Sequence, residues 1–255
     1  MTIAKPDFIE GIAKGMAVLE SFDTERQRLN ATQAAARAGL TRAAARRHLL
    51  TLAHLGYLDT DGSSFWMSPK VLRFSGSYLA SSRLPRALQP TLNRLAAQTQ
   101  ESFSAVVLDG EEAVIVARSV SGAPVRVLAY GLHLGARLPA HATSTGRILL
   151  AAMTGAQLTQ WLKGRTLARL TPNTVTQTSV LRQRVAQARK DDHCIASEEH
   201  ELGVQALAVP LRDMKGRTVA ALNVVLSGAH RSDEAIRRDM LPLLYEAARE
   251  VRALL

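Results

Sequence analysis

The first sixty residues carry a helical hydrophobic repeat. Ile12, Met16 and Leu19, spaced four and three apart, predict one buried stripe on a first helix, Ile12 to Phe22. A polar loop, Asp23 to Arg28, follows. The segment LNATQAAARAGLTRAAARRHLLTLAHL then reads as two short helices joined by a tight turn. Asn30 is placed as an N-cap with Gln33 as its capping-box partner, Ala31 to Ala38 is helix-forming, and Gly39 supplies the turn. Thr41 caps a second helix, Arg42 to Leu55, on which Ala45, Leu49, Leu52 and Leu55 share one face. Gly56-Tyr57-Leu58 ends it, and Asp59 to Met67 reads as a hairpin turning at Asp61-Gly62.

The pattern then weakens and changes. Pro69 opens a helical stretch with Val71, Leu72, Tyr78 and Leu79 apolar, but Gly76 and several serines lower its propensity. Ser81-Ser82-Arg83-Leu84-Pro85 marks a boundary. Leu88, Leu92, Leu95 and Ala96 mark a helix up to Gln100. Strand-like runs follow at Phe103–Leu108, Ala113–Arg118, Val125–Leu128, Cys194–Ser197, Gln205–Leu211 and Thr218–Leu226. Helices are expected at Thr143–Met153, around Leu158, Trp161 and Leu162, and at Val180–Lys190. The last helix repeats Ile236, Met240, Leu243, Ala247, Val251 and Leu254, with Pro242 starting or kinking it. Strands framed by helices without strict alternation predict an α+β domain. The chain thus divides into 1–68, a linker helix over 69–84, and a larger domain over 85–255.

Charge sharpens the reading of the first part. The net charge is +10 and only 4% of residues are aromatic, which suits contact with duplex phosphates better than stacking on single strands. From Arg26 to Leu58 there are six arginines and no acid. Two helices and a hairpin in this order make a winged helix-turn-helix, whose second helix enters a major groove. Thr41, Arg42, Ala43, Arg46 and Arg47 are the candidate DNA contacts, with Arg42 and Arg46 placed at base edges. Cys194 is the only cysteine, so no intrachain disulfide forms, as befits a reducing cytosol. No apolar run has signal-peptide character or approaches the roughly 20 residues of a membrane span, so a cytoplasmic protein without a membrane partner is expected.

Catalytic chemistry is hard to find. There is no dinucleotide fingerprint, phosphate loop or nucleophile elbow. His200-Glu201 begins as a zinc-protease motif, but Val204 stands where the second histidine belongs. His193, Cys194 and His200 make a poor metal set, because adjacent strand residues face opposite ways. Glu198, Glu199 and Glu201 read as a solvated acidic loop. No cofactor or metal is expected. The better ligand site is LPAHATSTGR, Leu138 to Arg147, where a loop of small hydroxyl residues ends at a helix start. Unpaired first-turn amides and the positive dipole end favour a carboxylate there. An ordinary helix cap is the alternative.

Three segments together resemble the IclR family of bacterial transcription regulators. They are GIAKGMAVLESF with the helix-turn-helix, LGARLPAHATSTGRILLA, and SEEHELGVQALAVPLRDMKGRTVAALNVV. TRAAARRHLLTL, TSTGR and AALNV look most like the branch controlling protocatechuate and 4-hydroxybenzoate catabolism. The resemblance implies a winged helix, a linker helix and a GAF-like effector-binding and oligomerisation domain, assembled as dimers or tetramers. It places the effector against Val127, Tyr130, Leu138, Ser144, Thr145, Ala196, Val204, Ala206, Asn223 and Val225. Family members binding very small acids have serine at the positions of Asn223 and Val225, which argues here against glyoxylate or pyruvate. The expectation is a regulator, an activator by its branch, with operator DNA, a small organic acid and RNA polymerase as partners. The candidate acids are 4-hydroxybenzoate, protocatechuate and β-ketoadipate. A repressor answering another metabolite, an enzyme and a constitutive DNA-binding protein are the alternatives.

Overall fold

The computed structural model describes residues 3–23, 26–119, 132–227 and 230–255. Contacts divide the chain into two compact units, Met1–Ala80 and Ser81–Leu255.

The first unit contains α1 (Glu10–Leu19), α2 (Ala31–Ala38), α3 (Arg42–His54), β1 (Leu58–Thr60) and β2 (Phe65–Met67). The local signals around the turn form as their chemistry dictates. Asn30 Oδ1 accepts from the amides of Thr32 and Gln33 at 3.0 Å each, and Gln33 Oε1 accepts the Asn30 amide at 2.9 Å. Gly39 sits at φ 65°, where a side chain is strained. Thr41 Oγ1 takes the Ala44 amide at 3.2 Å. In the wing, Leu58 pairs with Met67, and Asp61 Oδ1 gathers the amides of Ser63 and Ser64. Leu29 bridges Phe65 through two backbone bonds of 3.0 and 2.9 Å, adding a third short strand segment to the wing.

Two expectations about faces need correction. In α1, Val18 is buried with Phe22, Leu29, Ala34, Leu49, Leu58 and Phe65, whereas Ile12 is 62% and Met16 48% exposed. Spacing fixes a period, but it does not choose between two adjacent apolar stripes; packing against α2, α3 and the wing does. In α3, Ala45 and Leu49 are fully buried, but Leu55 lies past the last helical residue and is exposed. A 3-10 turn, Pro69–Val71, leads into α4 (Leu72–Ser81). Leu72, Phe74 and Tyr78 of α4 are exposed, and the Phe74 ring stacks on Tyr57 at 5.6 Å.

The second unit is built on an antiparallel six-stranded sheet in the order β5-β4-β3-β8-β7-β6. Its strands are β3 (Ser102–Asp109), β4 (Glu112–Ser119), β5 (Arg137–Pro139), β6 (Cys194–Ser197), β7 (Val204–Arg212) and β8 (Thr218–Ser227). Its helices are α5 (Arg83–Thr99), α6 (Ser144–Ala151), α7 (Gly155–Leu162), α8 (Thr178–Asp191) and α9 (Asp233–Val251). Alternate strand residues feed two cores. Phe103, Leu207, Leu222 and Val224 pack with Leu88 and Leu92 of α5 and Ile236 and Leu244 of α9. Val106, Ile115, Ala208 and Ala221 pack on the other face with Leu150, Trp161 and Leu181 of α6 to α8. This is the α+β architecture that the element pattern predicts.

Here too some boundaries differ. α5 starts before Pro85, which its first turn tolerates because amides there have no intrahelical partner. α9 begins at Asp233 and runs through Pro242. Its buried stripe uses Leu244 rather than Leu243, while Leu254 is 58% exposed in a terminal 3-10 turn. β5 falls where the sequence reads as loop, because three residues ending in proline carry no alternation signal. The expected strand Val125–Leu128 lies outside the described residues.

Candidate effector and DNA-contact sites

α6 holds the most constrained residues of the second unit. Thr143 is its N-cap: its Oγ1 accepts the Gly146 amide at 3.1 Å and its carbonyl accepts the Arg147 amide at 3.1 Å. The amides of Ser144 and Thr145 are then the first-turn donors with no intrahelical acceptor, and both residues are buried. Gly146 is required by contact: a Cβ there would stand 2.1 Å from the Ala140 carbonyl oxygen. Only glycine lets α6 lie this close to the 3-10 turn Ala140–Ala142.

Arg147 follows, 1% exposed. Its Nη1 donates to Glu199 Oε1 at 2.6 Å, its Nη2 to Glu199 Oε2, and its Nε to the His141 carbonyl at 3.1 Å. Burial pushes this guanidinium down, and the Glu199 hydrogen bonds and charge outweigh it, so its pKa is raised. The acidic segment is therefore not the solvated loop expected. Glu199 is buried against Arg147, its carbonyl accepts from Thr174 Oγ1 at 2.7 Å, and Glu198 Oε1 accepts the Gly203 amide at 2.8 Å. A fully buried arginine needs a carboxylate, and Glu199 reaches it across 52 residues of sequence.

Beside this pair lies a partly open cavity. Its floor is sheet: Ser104 and Val106 of β3, Ile115 of β4, Asn223 and Val225 of β8, Val204 and Ala206 of β7, and Ala196 of β6. Leu138, Thr143, Ser144 and Thr145 cover it, and Glu199, His200 and Glu201 edge it. Register explains the grouping: Ser104 opposes Asn223, and Val225 opposes Ala206, which opposes Ala196. The structure thus brings Leu138, Ser144, Thr145, Ala196, Val204, Ala206, Asn223 and Val225 together. Val127 and Tyr130 lie outside the described residues.

Sequence reasoning passed over Ser104, Val106 and Ile115, and weighed His200 only as a metal ligand. The signal for Ser104 was present: Ser102 and Ser104 alternate in an otherwise apolar strand. Ser104 Oγ, Ser144 Oγ and Asn223 Oδ1 are all buried and without a hydrogen-bond partner among the described residues. Buried polar groups are nearly always bonded, so three such atoms on one apolar cavity mark polar recognition. Burial pushes the His200 imidazole below its ordinary pKa, against a smaller opposing pull from Glu201. The Cys194 thiol is pushed up to about 11 by burial, partly offset by Arg147, which makes it unreactive. His193 is engaged elsewhere, its ring contacting the Asp191 carbonyl at 2.9 Å and Arg237 Nε at 3.2 Å.

In the first unit, Thr41, Arg42, Ala43, Arg46 and Arg47 all lie exposed at the start of α3. Arg42 and Arg46 are one turn apart, and among the described residues neither they nor Arg47 form an ion pair. Arg37 differs: it is tied to Asp23 and to the Ser21 carbonyl. Arg28 lies over the Trp66 ring of the wing at 4.1 Å. Among the described residues, no helix is long and apolar enough to cross a membrane.

Known proteins share this arrangement. Residues 11–62 match the IclR helix-turn-helix domain, and residues 76–253 match the bacterial transcriptional regulator IclR C-terminal domain. The Pca operon regulatory protein of Acinetobacter baylyi is 51% identical over 99% of this chain and 91% of its own. The p-hydroxybenzoate hydroxylase transcriptional activator of the same organism is 48% identical over 99% of this chain and 94% of its own. Among solved structures, an IclR homologue from Microbacterium hydrocarbonoxydans complexed with 4-hydroxybenzoate aligns with a TM-score of 0.76 at 26% identity, covering 96% of this chain and 98% of that one. The two domain matches together span most of the chain, and the chain belongs to the IclR family of bacterial transcriptional regulators.

Proposed function

We propose that this protein is a transcription regulator of aromatic-acid catabolic genes and that a small aromatic acid such as 4-hydroxybenzoate or protocatechuate is its effector. The observation that carries this reading is the cavity: an apolar body bounded by three unpartnered polar atoms and a buried helix start. The carboxylate meets the amides of Ser144 and Thr145. The ring lies among Leu138, Val204, Ala206 and Val225, and Asn223 offers a donor and an acceptor to the far substituent. The IclR homologue complexed with 4-hydroxybenzoate supports the ligand class, the relatives named for the Pca operon and for p-hydroxybenzoate hydroxylase support the target genes, and the second supports an activator, for which contact with RNA polymerase is our proposal.

On this reading residues 1–68 bind DNA, 69–84 link, and 85–255 bind effector and self-associate. Thr41, Arg42, Ala43, Arg46 and Arg47 face the operator. A single winged helix buries too little surface for operator-grade affinity, so a dimer or tetramer acts, in the cytoplasm. The exposed apolar side chains of α1 and α4 are consistent with that. A promoter fragment from the neighbouring catabolic genes tests the reading in a mobility-shift titration. Band position, affinity or footprint should change with 4-hydroxybenzoate or protocatechuate. A footprint and affinity indifferent to every aromatic acid would overturn it.

A further inference from the structure

Five arginines of the second unit are buried or half-buried among the described residues: Arg118, Arg147, Arg165, Arg212 and Arg231. Four meet a carboxylate, namely Glu199, Glu111, Asp192 and Glu101 in turn. Arg118 meets none among the described residues, and its Nε and Nη1 are buried with no hydrogen-bond partner. The segment that follows it, residues 120–131, contains no acid. A cation removed from water without a counter-charge is costly, and burial alone pulls the Arg118 guanidinium below its ordinary pKa.

Register shows where this charge is held. Ser104 opposes Arg118 on one side and Asn223 on the other. Directly opposed residues share a sheet face, with Cβ atoms about 4.5–5.5 Å apart. Ser104 and Asn223 line the cavity floor while Phe103 and Ala105 belong to the opposite core, so Arg118 is on the cavity's side of the sheet, beside Ser104 and next to the lining residues rather than one of them. Arg118, Ser104 and Asn223 therefore form one row across β4, β3 and β8, and each carries unpartnered buried polar atoms. α6, with the amides of Ser144 and Thr145, lies in the layer over this floor.

We propose that Arg118 is the second charged pole of the ligand site, so that the effector is a two-headed acid with its carboxylate at α6 and an acceptor oxygen at Arg118. The inference rests on reading the cavity as the effector site. A guanidinium only donates, so it selects the far group by chemistry. A carboxylate, a phenolate or a phenol oxygen fits; an amine does not. Ser104 and Asn223 flank the same group and fix its direction.

The test uses calorimetry on the full chain with 4-hydroxybenzoate, its isostere 4-aminobenzoate, and adipate as an aliphatic diacid. The unaltered protein should prefer 4-hydroxybenzoate to 4-aminobenzoate by roughly 10-fold or more, and this needs no variant. Arg118→Met should bind 4-hydroxybenzoate roughly 10- to 100-fold more weakly and lose the preference over the amine. Arg118→Lys should recover part of both. Without ligand, Arg118→Met should melt at the same temperature as the unaltered protein or higher, because it removes an unpaired, half-buried cation. Equal binding of the hydroxy and amino acids by the unaltered protein, or an Arg118→Met protein with unchanged affinities, would overturn the proposal while leaving the aromatic-acid reading intact. Adipate bound in an Arg118-dependent way, with no aromatic acid bound, would uphold the second pole and overturn the aromatic reading. No binding of any of the three acids would overturn both.

Discussion

Replacing Glu199 by alanine strands the Arg147 guanidinium in the core. The side chain of Arg147 is 1% exposed and that of Glu199 11%, so water does not substitute for the lost carboxylate. Breaking a buried pair by removing one partner costs about 3–5 kcal/mol. The fully buried arginine and its two-pronged contact argue for the upper half of that range. Against a total stability of roughly 5–15 kcal/mol, this is a large fraction. A domain of this size loses roughly 2–4 °C of melting temperature per kcal/mol, so a fall of about 10 °C or more is expected. Removing both charges, with Arg147→Met and Glu199→Leu together, should recover most of the loss, because replacing a buried pair by apolar groups is often neutral. Urea denaturation followed by circular dichroism, on Arg147→Met, Glu199→Leu and the double variant, gives the coupling directly. A Glu199→Ala protein within about 1 kcal/mol of the original, or a double variant no more stable than the worse single one, would refute the reasoning.

Three further outcomes follow from the same geometry. Gly146→Ala should destabilise by about 3 kcal/mol, at the high end for an overpacked site, whereas Gly155→Ala, with nothing within 4 Å of the added Cβ, should cost nothing measurable by the same denaturation assay. Arg42→Ala with Arg46→Ala should relax operator preference, each base contact being worth roughly 1–3 kcal/mol, and a mobility shift unchanged on specific and scrambled duplexes would remove α3 from the operator. His200 is held below its ordinary pKa by burial, so the unfolded chain takes up a proton first as pH falls through about 6.5. Stability should therefore drop between pH 7.5 and 5.5, and His200→Gln should flatten that slope in denaturation measured at both values.

What was legible in the sequence was local. The Asn30–Gln33 box, Gly39 and the Thr41 cap act within four residues, so they specify α2, the turn and α3 without help from the rest of the chain. The strands β6, β7 and β8 were legible because alternation is also local. Faces and partners were not. Ile12 and Val18 are both apolar, and packing against α2, α3 and the wing decides which is buried. Leu243 and Leu244 differ by one position, and the phase of α9 against the sheet selects the second. Glu199 reads as solvated beside Glu198 and Glu201 until α6 brings Arg147 to it. The cavity was half legible: the helix start at Ser144 shows in PAHATSTGR, but Ser104 joins Asn223 only through the β3–β8 register.

The central claim is that an acid's charge is received at the start of α6, and calorimetry on one ligand pair tests it most directly. 4-Hydroxybenzoate and its methyl ester bury nearly the same ring and differ in the carboxylate. An unsatisfied buried group costs roughly 1–3 kcal/mol, so the ester should bind about tenfold or more weakly. Thr145→Pro, which deletes the amide donor, should reduce the acid's affinity more than Thr145→Ala, with folding checked by circular dichroism. An ester bound as tightly as the free acid would contradict the account.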